Sequence, residues 1–335
     1  MTVLVTGAAG FLGSHVTDLL LEVSQPTRAL IRPGENPDSL AAAGADVRAA
    51  DIRDASAVTA AVRGVDLVVH CAARTGPWGP RSEYEQTNVH ALQVLVQAAM
   101  SAGVRRIVHV SSIAVHGTDI GGRADENAPM RREPNPYSQS KVAGERLIMR
   151  LIRDEGARVT IVRPGWIYGP RDHASFARFC RLVERGQMIM IGPGTNHLPL
   201  VYVSDVAQGI LRAGAAPGAD GRSYLLVSDQ PVTQRQFLTA IARELSVPTP
   251  ARHVSYRPAA VLGRAVDLTW RLTRRGGPPP VTRYGIQLLG GENGFETSRA
   301  RSELGFSPEV GYGEGVRRGV EWYRTVTGVP TMAEA

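Results

Sequence analysis

Three glycines, each separated from the next by two residues, follow the first β-rich run of the chain. The run Thr2–Thr6 leads into Gly7, Gly10 and Gly13, and apolar residues then recur at helical spacing. A glycine turn between a strand and a helix lets the backbone approach a pyrophosphate closely and aims the helix N-terminus at the anion. The spacing therefore predicts a dinucleotide-binding turn, a feature of doubly wound parallel sheets.

Strand-like and helical segments alternate through the first half of the chain. The predicted strands are 2–6, 28–31, 46–50, 67–70, 107–111 and 159–162. The predicted helices are 11–23, 55–62, 84–102 and 137–153. Such alternation implies right-handed crossovers and a parallel sheet covered by helices on both faces. The fold class is therefore α/β, a Rossmann-like doubly wound parallel sheet.

The amino-acid composition of the chain changes after the sixth predicted strand. Glycine, proline and arginine become more frequent, and longer loops separate the helical segments. This change predicts a smaller C-terminal substrate lobe. We expect residues 1–165 to form the NAD(P)-binding domain, with returning segments near 200–228 and 281–300. Residues 166–199 and 229–330 are expected to form mainly the substrate lobe.

The composition narrows the classes of function. Two cysteines, Cys71 and Cys180, cannot build a disulfide framework or a metal knuckle, so no metal is expected. The formal charge of +7 suits an anionic ligand or reflects an arginine-rich composition. The arginines are scattered along the chain. It has no basic run with interleaved aromatic residues, so nucleic-acid binding is not expected. Neither a signal peptide nor an apolar run of ~18 residues is present, which predicts a cytoplasmic protein without membrane association.

A tyrosine and a lysine that share a helix face carry the chemistry. Tyr137 and Lys141 lie four residues apart, and Ser112 ends a predicted strand 25 residues before the tyrosine. We expect the ammonium to lower the pKa of the phenol. Such a phenol can exchange a proton with a carbonyl oxygen or an alcohol, and a serine can stabilise charge on the same oxygen. His116 has no carboxylate paired with it in sequence, so it is interpreted as a loop histidine.

Residues after the second, third and fourth strands are candidates for cofactor contacts. Arg32 stands where an acidic residue would specify NAD(H), so a 2′-phosphate and NADP(H) are favoured. A solvent-facing arginine is the alternative. Asp51 can accept from an adenine amino group and Ile52 can pack on the ring, although an ordinary loop aspartate fits equally. Ala72 and Ala73 are small enough for a close approach of the backbone, or serve packing alone.

With these motifs the chain resembles the extended short-chain dehydrogenase/reductase family, which includes the NAD-dependent epimerases and dehydratases. The resemblance runs nearly end to end. It includes Arg163-Pro-Gly-Trp-Ile-Tyr-Gly-Pro170, Val201-Tyr-Val-Ser-Asp-Val-Ala207 and the closing run Ser298–Phe306.

Within the family the chain is most similar to the 3-beta-hydroxysteroid dehydrogenase and dihydroflavonol reductase branch. The pointers are Gly76-Pro-Trp-Gly79, Arg32 and Ile191-Gly-Pro-Gly-Thr-Asn196. Sugar-nucleotide enzymes usually carry an arginine where this chain has His197-Leu-Pro-Leu-Val201. The acidic pair beside the serine of dehydratases is replaced by Ile113-Ala114.

The resemblance implies a role for each matching residue. Ser112, Tyr137 and Lys141 would form the catalytic triad, Lys141 would also bind the nicotinamide ribose, and Pro164 and Gly165 would border the nicotinamide. The expected cofactor contacts are Gly7, Gly10, Phe11, Leu12, Gly13, Arg32, Asp51, Ile52, Ala72, Ala73, Tyr137, Lys141, Pro164 and Gly165. A homodimer is the usual state of the family.

The sequence thus predicts an NAD(P)-dependent oxidoreductase that interconverts a ketone and a secondary alcohol on an apolar or polyketide-like small molecule. Trp78, Trp166 and Tyr168 would line a flat apolar substrate site, or pack in the core. One alternative is a nucleotide-sugar epimerase or 4-ketoreductase with the same triad. A second alternative is a non-catalytic protein that senses the dinucleotide.

A basic amphipathic helix is predicted over Ala259–Leu272. Its apolar arc consists of Leu262, Ala265, Val266, Leu268, Thr269 and Leu272. Arg264, Arg271 and Arg275 form a stripe beside the arc. We favour a lobe helix with the apolar side inward and the arginines solvated over a helix that lies on a membrane. The run 276–280 predicts a loop, and the last five residues are expected to fray.

Overall fold

A computed structural model provides the structure of the chain. It describes residues 1–131, 133–273, 277, 279 and 281–328. The strands, numbered in chain order, are β1 (Val3–Thr6), β2 (Thr27–Ile31), β3 (Asp46–Ala49), β4 (Leu67–His70), β5 (Arg106–Val110), β6 (Arg123–Ala124), β7 (Val159–Pro164), β8 (Trp166–Tyr168), β9 (Met190–Ile191), β10 (His197–Leu198), β11 (Leu200–Tyr202), β12 (Ser223–Leu226), β13 (Val232–Thr233), β14 (His253–Val254) and β15 (Gly294–Phe295).

Helices connect most of these strands. They are α1 (Phe11–Glu22), α2 (Asp38–Ala42), α3 (Ala55–Val62), α4 (Arg81–Glu85), α5 (Ala91–Ser101), α6 (Pro136–Glu155), α7 (Phe176–Glu184), α8 (Val203–Ala215), α9 (Gln234–Leu245), α10 (Tyr256–Leu272), α11 (Arg283–Gly290), α12 (Ser298–Leu304) and α13 (Tyr312–Thr327). A π-helical turn, Gln86–His90, joins α4 to α5, and a 3-10 turn, Ile113–His116, follows β5.

Seven strands of the described residues form one parallel sheet in the order β12-β7-β5-β4-β1-β2-β3. The α/β prediction of a doubly wound parallel sheet is confirmed. The strand order reverses between β1 and β4, and ligands of such sheets bind beyond the carboxyl ends of the strands at that point. The six predicted strands are present with ends shifted by at most two residues. The predicted helix 84–102 is instead three successive helical segments.

The inner strands of the sheet are buried on both faces, whereas the edge strand β3 is largely exposed. Val3 and Val5 of β1 point into the core shared with α1 and α8, whereas Leu4 points into the core shared with α3, α5 and α6. These hydrophobic layers hold the strand ends, and the loops that follow them, at fixed positions.

The later part of the chain adds two-stranded pairings around this sheet. Strand β8 pairs in parallel with β11, β9 with β14 and β6 with β15, while β10 pairs with β13 in the antiparallel sense. Strand β12 returns to the main sheet as its outermost strand beside β7. The division into domains at the residue numbers given above stays a prediction.

Helix α10 turns its apolar arc toward solvent, so the expected burial of that arc is wrong. Leu262 and Leu268 are 60% exposed and Leu272 is 73% exposed. The side of α10 that packs on α11 carries Gly263, where an added Cβ would lie 2.7 Å from Ile286 Cδ1. A helix contact this close requires a small residue, and that requirement decides which face is buried.

The basic stripe beside the arc is described only in part. Arg264 is exposed, as expected. The side chain of Arg271 and all of Arg275 lie outside the described residues, as do residues 276, 278 and 280 of the predicted loop and the last five residues. None of the helices in the described ranges has the length and apolarity needed to cross a membrane.

Candidate active site

The glycine turn lies between β1 and α1 and is shaped by close backbone contacts. Gly7 has φ of +67°, and an added Cβ there would lie 2.9 Å from Ala72 Cα. A Cβ on Gly13 would lie 2.1 Å from the carbonyl oxygen of Gly7. Gly10 is the N-cap of α1, and no side chain caps this helix. The turn therefore presents open N–H groups at a helix N-terminus, an arrangement that fits a dinucleotide pyrophosphate.

The start of α6 fixes the positions of Tyr137 and Lys141. Asn135 is the N-cap, and its Oδ1 accepts a hydrogen bond of 2.8 Å from the Ser138 N–H. Lys141 Nζ donates to the Val110 carbonyl oxygen at the end of β5, at 2.8 Å, and lies 6.0 Å from the centre of the Tyr137 ring. The lysine is thus held between the helix and the carboxyl edge of the sheet.

Ser112 approaches Tyr137 from the end of strand β5. It follows β5 directly and is the N-cap of the 3-10 turn, where its Oγ accepts from the Ala114 N–H at 3.1 Å. The Ser112 hydroxyl is also a hydrogen-bonding neighbour of the Tyr137 phenol. The structure therefore brings the three predicted triad residues together.

The pKa of Tyr137 shifts in the direction opposite to the one expected. Burial of the phenol raises its pKa, and the hydrogen bond with Ser112 offsets only part of this effect. The expected lowering by Lys141 is wrong for this structure, because the ammonium is directed to the Val110 carbonyl. Burial also lowers the pKa of Lys141 to about 8, against the opposing influence of Glu145.

The groups around Lys141 are held neutral. Burial lowers the pKa of His70 to about 3 and raises that of the Cys71 thiol to about 12. The ring of His109 stacks on His70 with centroids 5.4 Å apart, and burial lowers its pKa as well. Lys141 is therefore the residue among these that can carry charge near neutral pH.

His116 does not face the triad. It is buried, and its Nε2 lies 3.2 Å from Arg163 Nη1. Burial and the nearby Arg163 guanidinium lower its pKa. These contacts give His116 a structural position rather than a place in proton transfer.

The loop after β4 is tied to α6 through Asn88. Its Oδ1 accepts from the Arg74 N–H at 2.7 Å, and its Nδ2 donates to Ser140 Oγ at 2.8 Å. Ala72 and Ala73 lie in this loop beside the glycine turn. Asn88 therefore ties the loop that contains Ala72 and Ala73 to α6.

Arg32 lies beyond the carboxyl end of β2, and its side chain is 75% exposed. Its guanidinium is paired with Glu35, with Nη2 2.7 Å from Oε1. Glu35 Oε2 also accepts from the Arg32 N–H at 2.9 Å. Sequence reasoning missed this carboxylate, although it stands three residues after the arginine.

Asp51 is likewise paired. Arg53 Nη2 lies 2.5 Å from Asp51 Oδ2, and these contacts lower the pKa of the aspartate. Ile52 is buried between them. An open cavity of about 540 Å³ is lined by Asp51, Arg53, Asp54, Gln86, His90, Ala91 and Val94.

Pro164 ends β7 at the edge where β5 and β1 also end, and Gly165 follows it directly. The Gly165 N–H donates to the Leu226 carbonyl at 2.9 Å, and an added Cβ would lie 2.3 Å from the Pro199 carbonyl oxygen. Only glycine fits this position without displacing the neighbouring strand.

A narrow cleft lies between the segment 133–135, which precedes Tyr137, and helices α10 and α11. It retains a volume of about 10 Å³, less than most single water molecules need. It is lined by Pro77, Glu133, Pro134, Asn135, Asp267, Thr282, Arg283, Tyr284, Gln287. Tyr284 is electrostatically coupled to both Tyr137 and Glu133, and burial raises its pKa. Sequence reasoning missed Tyr284, because nothing in its local sequence marks α11 as facing the site.

The three aromatic residues proposed for the substrate occupy different surroundings. Tyr168 is 3% exposed and packs edge-on against Tyr202 and Phe237, which gives it a place in the core. Trp166 is half-buried and lies 5.2 Å, centre to centre, from the Phe179 ring. Trp78 stays in the loop next to Pro77, at the side of the cleft.

Comparisons with known proteins agree with this geometry. The sequence profile described as "NAD dependent epimerase/dehydratase family" matches residues 3–226. The chain is 29% identical to the 2-alkyl-3-oxoalkanoate reductase of Stenotrophomonas maltophilia, over 95% of this chain and 98% of that protein. It is 30% identical to the 3 beta-hydroxysteroid dehydrogenase/Delta 5→4-isomerase of Mycobacterium tuberculosis, over 91% of this chain and 86% of that protein.

A solved structure extends the comparison. A double mutant of the dTDP-glucose 4,6-dehydratase DesIV from Streptomyces venezuelae, with NAD bound, superimposes with a TM-score of 0.79. It is 29% identical and covers 98% of each chain.

Proposed function

The chain belongs to the NAD-dependent epimerase/dehydratase family, as the resemblance predicted, and on that premise we propose that it interconverts a ketone and a secondary alcohol. The observation that carries the proposal is the meeting of Ser112, Tyr137 and Lys141 at the sheet edge next to the glycine turn. This family, and the relatives of the chain that are named as reductases, share oxidoreductase chemistry of the extended short-chain type.

Each residue of the triad has a distinct task in this proposal. The Tyr137 phenol is protonated at neutral pH, as any phenol with a pKa of about 10 or above is, and donates its proton to the oxygen of a ketone. Ser112 donates a hydrogen bond to the same oxygen and stabilises the charge that develops there. Lys141, whose ammonium lies 6.0 Å from the centre of the Tyr137 ring, binds the nicotinamide ribose. When bound, the nicotinamide supplies or accepts the hydride.

The substrate we propose is apolar rather than a sugar nucleotide. The segment before β11 offers no arginine to a diphosphate: His197 is half-exposed there and lies 3.8 Å from Glu292. The relatives named above include a reductase of alkyl-substituted oxoalkanoates and a steroid dehydrogenase. A long-chain or polycyclic ketone is the corresponding class for this chain.

We also propose a preference for NADP(H). Arg32 is exposed beyond β2 and can turn from Glu35 toward a 2′-phosphate. NAD(H) binding would instead use the ribose hydroxyls, for which Glu35 is a suitable acceptor.

The proposal is tested by following oxidation of NADPH and NADH in the presence of a 2-alkyl-3-oxoalkanoate, a steroid ketone and a UDP-sugar. We expect turnover of at least one apolar ketone and none of the UDP-sugar. Tyr137→Phe should lose about 10²–10⁴-fold in kcat while dinucleotide affinity is kept, and Tyr312→Phe should behave as wild type. Tightly retained NAD and interconversion of UDP-sugars without net turnover would establish the epimerase alternative. Full activity of Tyr137→Phe would refute the triad.

A further inference from the structure

The exposed side of α10, made of Val261, Leu262, Ala265, Leu268 and Leu272, forms an apolar surface that we call the α10 face. We propose that the α10 face docks on the surface of an anionic lipid bilayer, with the helix lying in the plane of the headgroups. The docking does not depend on the proposed reaction, although it would deliver apolar substrates to the cleft.

Exposed large apolar side chains are concentrated on this part of the molecule. Ten such residues occur in the described residues, and six of them lie between positions 254 and 281. They are Val254, Val261, Leu262, Leu268, Leu272 and Val281. Scattered exposed apolar residues are ordinary, but a cluster marks a surface that is covered by something.

Charge identifies the partner. The segment 251–290 contains seven arginines and a single acidic residue, Asp267, so it holds a net charge of +6 out of the +7 of the whole chain. The arginines are spread along the chain, but the positive charge that acidic residues do not balance is concentrated in this segment. Arg257 and Arg264 are exposed on α10 itself. A helix with an apolar face bordered by arginines matches an anionic membrane surface, which attracts both features together.

The orientation of α10 is well supported by its contacts. Tyr256 Oη donates to Asp119 Oδ2 at 2.5 Å, which fixes the start of the helix to the body of the protein. Ala259 and Gly263 form the side packed on α11, where there is no room for a leucine. Rotating the helix to bury its leucines would break this contact. The α10 face is therefore a surface in the folded state.

The cleft and the α10 face both lie on the pair of helices α10 and α11. Helix α11 packs against α10, and Tyr284 and Gln287 of α11 line the cleft together with Asp267 of α10. A bilayer that covers the α10 face would therefore lie on the helix that packs against α11, which carries Tyr284.

The test is cosedimentation of the full chain with phosphatidylcholine vesicles prepared with and without phosphatidylglycerol. We expect binding to the vesicles that contain phosphatidylglycerol and little binding to the others, with a decrease at high salt. The Leu262→Ser, Leu268→Ser double variant should bind at least about tenfold more weakly. Arg264→Glu should weaken binding by a similar factor, because it removes one attractive charge and adds a repulsive one. The matched control is Val23→Ser, Val326→Ser, two exposed valines outside this segment, which should bind as wild type.

Several results would overturn the proposal. One is absence of binding to phosphatidylglycerol vesicles, and another is equal binding of the wild type and the double variant. A third comes from light scattering, which measures the oligomeric state. If the wild type is a dimer and the Leu262→Ser, Leu268→Ser variant a monomer, a second copy of the chain covers the α10 face. Unfolding midpoints of all variants establish that they are folded.

Discussion

Arg163 and Glu145 form an ion pair that is almost completely buried. Arg163 Nη2 lies 2.6 Å from Glu145 Oε2, and the two side chains are 2% and 0% exposed. Arg163 Nη1 also donates to the Glu126 carbonyl oxygen at 2.9 Å. Glu145 stands one helical turn after Lys141, so the pair joins α6 to the end of β7 and holds the lysine at the sheet edge.

Glu145→Gln should destabilise the protein strongly. The substitution leaves the Arg163 guanidinium buried without a countercharge, which typically costs about 3–5 kcal/mol in the free energy of unfolding. Glu155→Gln, an exposed position at the end of the same helix, should change it by less than about 0.5 kcal/mol. Urea unfolding of both variants measures the difference. Equal midpoints would mean that the ion pair does not hold α6 in place.

Lys141 should titrate near pH 8, well below an ordinary lysine. Burial lowers its pKa to about 8. Lys141 is the only lysine of the chain, so NMR of protein labelled with ¹⁵N-lysine reports this side-chain amine alone. A measured pKa near the ordinary value of about 10.4 would contradict the burial seen here.

The same shift links stability to pH. Between pH values of about 8 and 10.5 the unfolded chain binds more protons at Lys141 than the folded one, so stability rises with pH in this window. The contribution is complete above the unfolded pKa and is lost as the pH falls through about 8. Relative to Lys141→Met, the wild type should gain roughly 3 kcal/mol across the window.

Much of the sheet could be predicted from the sequence because strands buried on both faces form continuous apolar runs. The six predicted strands and the glycine turn are examples. The sequence places strand β12 only within a segment near 200–228 that returns to the first domain. Its residues Tyr224 to Leu226 form an apolar run, but its position beside β7 becomes clear only from the pairing. A four-residue run can form a strand or a loop, and tertiary contacts decide between them.

The parts of the candidate site that belong to a sequence motif could be predicted. The parts that depend on the packing of distant side chains could not. Tyr137, Lys141 and Ser112 follow from spacing. The role of Glu35 beside Arg32, and that of Tyr284 in the cleft, depend on side-chain positions that no local pattern encodes. The orientation of α10 was predicted wrongly because a helical wheel ranks faces by hydrophobicity, whereas Gly263 decides the contact by its size.

Gly13→Ala should disrupt the glycine turn. The added Cβ would lie 2.1 Å from the Gly7 carbonyl oxygen, and backbone must move to relieve the overlap. We expect a loss of about 1–3 kcal/mol in stability and weaker dinucleotide binding. Gly313→Ala is the matched control, since Gly313 is also helical and has open space around it. That variant should be neutral or stabilised by up to about 1 kcal/mol. Similar effects of both substitutions would argue against a constrained turn.

The pair of Arg32 and Glu35 should set the choice between NADPH and NADH. Glu35→Gln frees the Arg32 guanidinium and removes a negative charge, so the affinity for NADPH should rise relative to NADH by about tenfold. Arg32→Ala should reverse that preference by a similar factor. Dissociation constants for both dinucleotides, measured by nucleotide fluorescence, test this directly. If neither variant changes the ratio, the 2′-phosphate binds elsewhere.

Tyr284→Ala should shift substrate selectivity toward bulkier ketones. The cleft between the segment 133–135 and α11 retains about 10 Å³, and Tyr284, which interacts electrostatically with Tyr137, is among the residues that line it. Removing the phenol ring creates room, so kcat/KM for a branched or polycyclic ketone should rise about tenfold relative to a short-chain ketone. The affinity for NADPH should stay unchanged, because Tyr284 is not among the residues expected to contact the cofactor. Tyr312→Ala, which removes a half-buried ring outside the cleft, should leave the selectivity ratio as in wild type. An unchanged ratio in Tyr284→Ala would show that substrates enter by a route that avoids α11.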